Sequence, residues 1–257
     1  MQNDIQKASL WKRVAAGILD VILIAVLATG FGWTLSSALK YSDHSQMYKT
    51  ISQQYIDKYG IDMNMTEEAF NAMSPQAQED YQKRVEDCNA AMNADEQAVQ
   101  SYMMVVNLSL IIVTGGILLA MLVLEFIIPL MLGNGMTVGK KVFALCLIRT
   151  DGVKMNMVQF FTRVILGKFA VETMIPVYVV IMMLLGQTNG ILLLFAAALL
   201  IAQVILVLVT KNHSLLHDLM AGTVVVDYAS QRIFQSTQEL VEYQKKIAAE
   251  RAARQTY

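Results

Sequence analysis

Apolar residues are gathered into long blocks along this chain, separated by polar segments of contrasting charge. The first block runs from Val14 to about Leu39, contains one charged residue, Asp20, and is preceded by Arg13. It exceeds the roughly 20 residues an α-helix needs to cross a hydrocarbon core. A second extends from about Met103 to Leu124 and continues through Glu125 and Pro129 to Leu132. The third is free of charge from Thr173 to Thr210, too long for one helix, and is interrupted by Gly186-Gln187-Thr188-Asn189-Gly190. Gly and Asn favour a tight turn there, so the pattern predicts a helical hairpin with Ile191 to Thr210 as its second arm. The first arm is short unless it starts near Phe169 with Glu172 at its edge, which leaves a re-entrant arm as the alternative. A cleaved signal peptide competes for the first block, because Lys12-Arg13 resembles a basic leader and Ser36-Ser37-Ala38 ends it in small residues. Leader cores run to about 15 residues, so a longer block interrupted by an acid favours a retained anchor.

Between the blocks, periodicity and punctuation predict further elements. Ser45 to Tyr59 reads as a helix ended by Gly60, Thr66-Glu67-Glu68 starts another turn, and Ser74-Pro75 caps a helix expected to feed directly into the second block near Met103. After the Gly133-Asn134-Gly135 turn, Val142 to Arg149 is β-prone and is followed by Asp151-Gly152, a turn signal. Thr223 to Val226 is a second β-prone run, and the two are expected to pair. Met155, Val158, Phe161 and Ile165 would share one face of a helix reaching Lys168, placed either in the headgroup plane or against the spans. The tail opens with a capping box, Ser236-Thr237-Gln238-Glu239, and carries only a weak apolar stripe.

The expected fold is an all-α integral membrane helical bundle of about four transmembrane helices, with a small cytoplasmic β-hairpin or sheet and a helical extracytoplasmic insertion. Its organisation is 1–40 for the N-terminus and first helix, 41–100 for the insertion, 101–228 for the remaining membrane core with a loop at 133–168, and 229–257 for a helical tail.

Composition agrees: 55% of residues are apolar, 16% are charged and the mean hydropathy is +0.45. The net charge of -1 conceals a segregation, with five Lys/Arg against eleven Asp/Glu from Lys40 to Glu96, and six against one from Gly133 to Lys168. Basic residues near span ends mark the cytoplasmic side. Lys7, Lys12 and Arg13, then Lys140 to Lys168, therefore place both termini and the 133–168 loop in the cytoplasm of a multi-pass cell-membrane protein. No base-reading or base-stacking domain is visible, so nucleic acid is not an expected partner. The expected partners are the lipid bilayer and a second copy of the chain; 41–100 reads first as a solvated spacer and 229–257 as a frayed polar helix, with a bound protein as the alternative for each. Cys88 and Cys146 fall on opposite sides of this topology and are not expected to pair.

Ionisable residues at membrane depth are costly and usually face a bundle interior or a wet cavity. Asp20 lies about 9 Å into its block and Glu125 about 10 Å from the end of its own, at 1.5 Å per residue, so the two share a layer. Facing one another, they could hold a proton or cation. The alternative is that each pairs with a base to fix helix packing. Arg13 and Asp20 share a helix face but stand about 10.5 Å apart along the axis, so Asp20 needs another partner, with Arg163, Lys140 or water as candidates, and Gly17 offers room. His213 and His217 would share a ligand on a helix, but a third zinc ligand is missing. The run from Gly133 to Lys141 fails the phosphate-loop pattern, because Asn134 and Lys141 stand where Gly and Ser/Thr are required. No nucleophile-base constellation is present, so neither an enzyme, a cofactor nor a metal is expected.

These residues also resemble the RDD family of small membrane proteins, named for one arginine and two aspartates. Arg13 with Ala15-Ala16 and Asp20 match its opening pattern. Gly135-Met136-Thr137-Val138-Gly139-Lys140, Asp151-Gly152 and Arg163 resemble its central loop, and Leu216-His217-Asp218 with Ala221-Gly222-Thr223-Val224-Val225 its closing segment. The resemblance covers about 10–40 and 100–228 and implies that Asp218 is the second aspartate. The insertion and the tail depart from the compact family form. The family is largely of unknown function, with sodium/proton antiport proposed for some members and an accessory role in membrane-protein quality control for a eukaryotic relative. The candidate polar network is thus Arg13, Asp20, Glu125, Arg163 and Asp218, serving cation or proton transport or, alternatively, a non-transporting scaffold or assembly factor.

Overall fold

The computed structural model describes residues 5, 8–184, 186 and 190–255. Among them, four helices are long and apolar enough to cross a membrane: Leu10–Ala38 (α1), Glu96–Leu132, Met157–Leu184 and Gly190–Val209. Their surfaces are largely exposed within the single chain, as expected where lipid supplies the apolar surroundings. Trp11 and Trp33 are 81% and 77% exposed. Packing divides the chain into one unit of residues 30–115 and another of 1–29 with 116–257.

The 30–115 unit contains α2 (Tyr41–Tyr59), α3 (Glu67–Asn71), α4 (Pro75–Ala94) and most of α5 (Glu96–Met121). Gly60 ends α2 at φ 62, a left-handed conformation that glycine adopts without steric cost, and Thr66 and Ser74 accept cap bonds from Ala69 and Ala77. The expected uninterrupted helix from Ser74 to the second span breaks at Asp95. That residue is extended, and its carboxylate accepts the Gln97 and Ala98 N–H groups, restarting the chain as α5, while Tyr55 donates to it at 2.6 Å. A side chain able to cap the next helix competes with continuation of the previous one.

In the other unit, the second span does not remain a regular α-helix. Leu122–Ile127 winds as a π-helix before α6 (Ile128–Leu132), just ahead of Pro129. Proline lacks an N–H and its ring crowds the carbonyl four residues back, here that of Glu125, and the wider turn relieves that crowding. The third span is one continuous helix of α8 (Met157–Phe161), a π segment (Thr162–Thr173) and α9 (Met174–Leu184). Its 28 residues remove the shortness that left a re-entrant arm open, and the expected in-plane helix is its first half. The expected face is also corrected: Val158 and Phe161 are 73% and 46% exposed, whereas Phe160, Arg163, Val164 and Gly167 are buried. Apolar groups turn outward and the arginine inward, as befits a helix in lipid. Between α9 and α10 (Gly190–Val209), Gly186 has φ +70; residues 187–189 of the expected turn lie outside those described.

β1 (Leu145–Arg149) pairs antiparallel with β2 (Thr223–Asp227), aligning Leu147 with Val225, as expected of the two β-prone runs. A two-stranded sheet is marginal alone. Here both faces are covered, one by Ala8, Ala16 and Phe143, the other by Met136, Leu132 and Ile233. The tail helix α12 (Thr237–Gln255) starts in a cluster of Val153, Phe234, Leu240 and Tyr243, with Arg232 over the Tyr243 ring at 4.1 Å. Of the weak stripe seen in the sequence, Leu240 anchors the first turns, whereas Val241 is exposed.

Candidate functional site

The short helices α7 (Val138–Val142) and α11 (Leu216–Ala221) adjoin the sheet, and together with α1 and the two π segments they assemble an ionic layer. Thr137 caps α7 through the Lys140 N–H, and its hydroxyl donates to Asp20 Oδ2 at 2.5 Å. Gly139 N–H donates to Asp20 Oδ1 at 2.8 Å. A Cβ at Gly139 would run into Ala16 O and stand 2.9 Å from Asp20 Oδ1, so the approach requires glycine. Lys140 Nζ lies 3.9 Å from Asp20 Oδ2 and donates to Thr137 Oγ1 at 3.2 Å.

Asp218, 1% exposed, forms the second focus. Its Oδ1 pairs with Arg163, and its Oδ2 accepts from Arg13 Nη2 at 3.4 Å and from Leu215 N–H at 3.3 Å. Arg163 also donates to Thr223 at 2.8 Å, and Arg13 to Asn212 O at 2.6 Å. Arg13 therefore joins the second aspartate rather than Asp20, in line with the helix geometry. Glu125 pairs with Lys168. Asp20 and Glu125 share no hydrogen bond and each has its own donors, which removes the shared-proton arrangement considered from sequence. Glu172 accepts from the His217 N–H at 2.9 Å and from Nδ1 at 2.6 Å. A carboxylate can only accept, so Nδ1 carries the hydrogen. Burial, reinforced by Arg163, holds His217 well below its ordinary value, at about 4. The ring is neutral near pH 7.

His213 precedes α11 and donates to Val207 O at 2.8 Å, so the two histidines do not share a helix face. Among the described residues no group of three or more His, Cys, Asp or Glu has the proximity of a metal site.

A cavity of about 340 Å³ opens onto this layer, with Asp20, Lys140, Arg163, Lys168, Glu172 and Asp218 in its wall. Arg13 and His217 also reach it, and Val14, Val21 and Val207 line its apolar side. Gly17 sits on the wall, and a Cβ there would meet nothing within 4 Å. The room anticipated at Gly17 is thus open space in the cavity, and the close backbone approach occurs at Gly139.

All five residues expected from sequence lie in this layer; only Glu125 does not line the cavity. Sequence reasoning did not single out Lys168 and Glu172 as site residues, weighed His217 only as a zinc ligand, and did not foresee Thr137 and Gly139 as partners of Asp20. The π winding matters: i→i+5 bonding brings residues five apart, Arg163 and Lys168, towards one face that α-helical periodicity would have separated.

The family model described as the RDD family matches residues 7–222, well over half of the chain, which therefore belongs to the RDD family. No curated protein and no solved structure matches it significantly.

Proposed function

We propose that this RDD-family membrane protein moves a small cation or proton across the cell membrane, using the cavity above its ionic layer. The observation that carries this reading is the coincidence of empty volume with charge: about 340 Å³ of space is walled by carboxylates and bases in a unit otherwise bounded by apolar helices. Charges so placed are expensive unless paired, and in membranes they commonly mark pathways. On this reading the basic loop at 133–168 faces the cytoplasm together with both termini and 41–100 lies outside, an orientation supported by the Lys/Arg residues near the span ends. A four-span chain is small for an enclosed pathway, so a second copy would complete it. Reconstituted vesicles test the reading. Cation-dependent proton flux is expected, falling at least tenfold in Asp20→Asn; absent flux, or unchanged flux in the variant, would remove it.

A scaffold or assembly role is the second reading, favoured by the pairing of each acid. Arg13 and Arg163 join α1 and the third span to α11 through Asp218. On that reading Asp218→Asn lowers folded abundance and partner recovery through 41–100 or the tail.

A further inference from the structure

The four acids of the layer do not hold their basic partners equally. Arg163 and Arg13 bond Asp218, Lys168 bonds Glu125, and His217 bonds Glu172. Lys140 differs: its nearest carboxylate oxygen is 3.9 Å away, beyond hydrogen-bond reach, and its ammonium donates instead to the Thr137 hydroxyl at 3.2 Å. It is nevertheless enclosed, with 11% of its side chain exposed, and forms part of the cavity wall.

We propose that Lys140 is the proton-exchanging residue of the cavity, releasing a proton from its ammonium to cavity water and taking one back. Three features support the assignment. The groups facing it are Asp20 from α1, Glu125 from the first π segment, and Arg163 and Lys168 from the second. Burial lowers the ammonium from its ordinary value of 10.5 to about 8, against the pull of Glu125 and Asp20 and with the push of Lys168 and Arg163. The charges also balance only while Lys140 is protonated. Arg13, Lys140, Arg163 and Lys168 oppose Asp20, Glu125, Glu172 and Asp218, and His217 is neutral. Loss of the Lys140 proton leaves one uncompensated negative charge beside Asp20 and Glu125. An arginine could not do this, because it stays protonated, whereas a desolvated lysine changes charge readily. Coupling of that charge change to transport rests on the function proposed above; the proton exchange itself does not.

Competitive acetylation of the purified full-length protein in detergent, with acetic anhydride and a lysine model compound in the same tube, reads the titration of Lys140 directly. Half-maximal reactivity is expected near pH 8, compared with about 10.4 for the model compound. Glu125→Gln should move the midpoint lower, by removing an attracting carboxylate. A wild-type midpoint near that of the model compound, or no acetylation up to pH 11, overturns the proposal whatever the flux. In sodium-loaded proteoliposomes, Lys140→Arg keeps the charge but cannot release it, and proton flux should fall at least tenfold. Unchanged flux in Lys140→Arg, in a preparation where wild type transports, also overturns it. Absent flux in wild type with a midpoint near pH 8 removes the transport reading and upholds Lys140 as the proton-exchanging group.

Discussion

The ionic layer and the 30–115 unit draw on the same side chains, acids, bases and hydroxyls, in opposite circumstances. In the layer, Asp20, Glu125, Arg163 and Asp218 are 4%, 4%, 5% and 1% exposed, and each is held by partners distant in sequence. In the 30–115 unit, most of the acids are exposed and the characteristic bonds are local or solvent-facing, such as Arg84 to Gly60 O at 3.1 Å and Gln53 to Asp57 at 2.8 Å. Desolvation makes the difference. A buried charge that loses its partner stays buried and unpaired, while an exposed one returns to water.

The largest test of this contrast is a pair of truncations. Arg163→Ala should cost about 3–5 kcal/mol, because it strips the principal partner from Asp218. Arg84→Ala in the other unit should cost about 1 kcal/mol or less, one partly solvated hydrogen bond. Equal losses in thermal unfolding would break the comparison.

Two glycines sharpen it within the layer. Gly139→Ala forces a methyl against Ala16 O and the Asp20 carboxyl and should destabilise by about 1–3 kcal/mol. Gly17→Ala enters open space and should be neutral or stabilising by up to about 1 kcal/mol, since alanine is the better helix former. Thermal melts of the two proteins side by side decide the matter.

Comparable with the larger of these is the pH response. His217 binds a proton near pH 4 when folded and near its ordinary 6.5 when unfolded. Between those values the unfolded chain holds more protons, so stability rises with pH, and acidification from about 6.5 to 4 should erode it. His217→Gln should flatten that slope, as measured by denaturation across pH 4–7. At the bottom of the scale, Tyr55→Phe removes one bond to Asp95 and should cost about 1 kcal/mol while leaving the layer unchanged.

The spans were legible because lipid demands long apolar runs, and β1 and β2 because their apolar, β-prone runs are short and bounded by turns. Arg13, Asp20 and Glu125 stood out because charge beside or within apolar sequence is rare, while Arg163 entered as a candidate partner of Asp20, and Asp218 through the family resemblance. What could not be read was local winding and pairing. Pro129 signals a disturbance but not that it takes the form of a π turn at Glu125, and nothing in the 157–184 pattern announces that Lys168 turns towards Arg163. Asp95 looked like one more helical acid, yet its capping bonds divide two helices. Thr137 and Gly139 seemed parts of a failed phosphate loop, while their hydroxyl and N–H in fact meet a carboxylate 117 and 119 positions away.

The cavity, rather than the ion pairs around it, separates a pathway from a scaffold. Gly17→Leu places a side chain in its open space while leaving each ion pair in the layer intact. Proton flux should collapse in vesicles carrying this variant, with its melting temperature unchanged; wild-type flux from an equally folded Gly17→Leu protein would contradict the account.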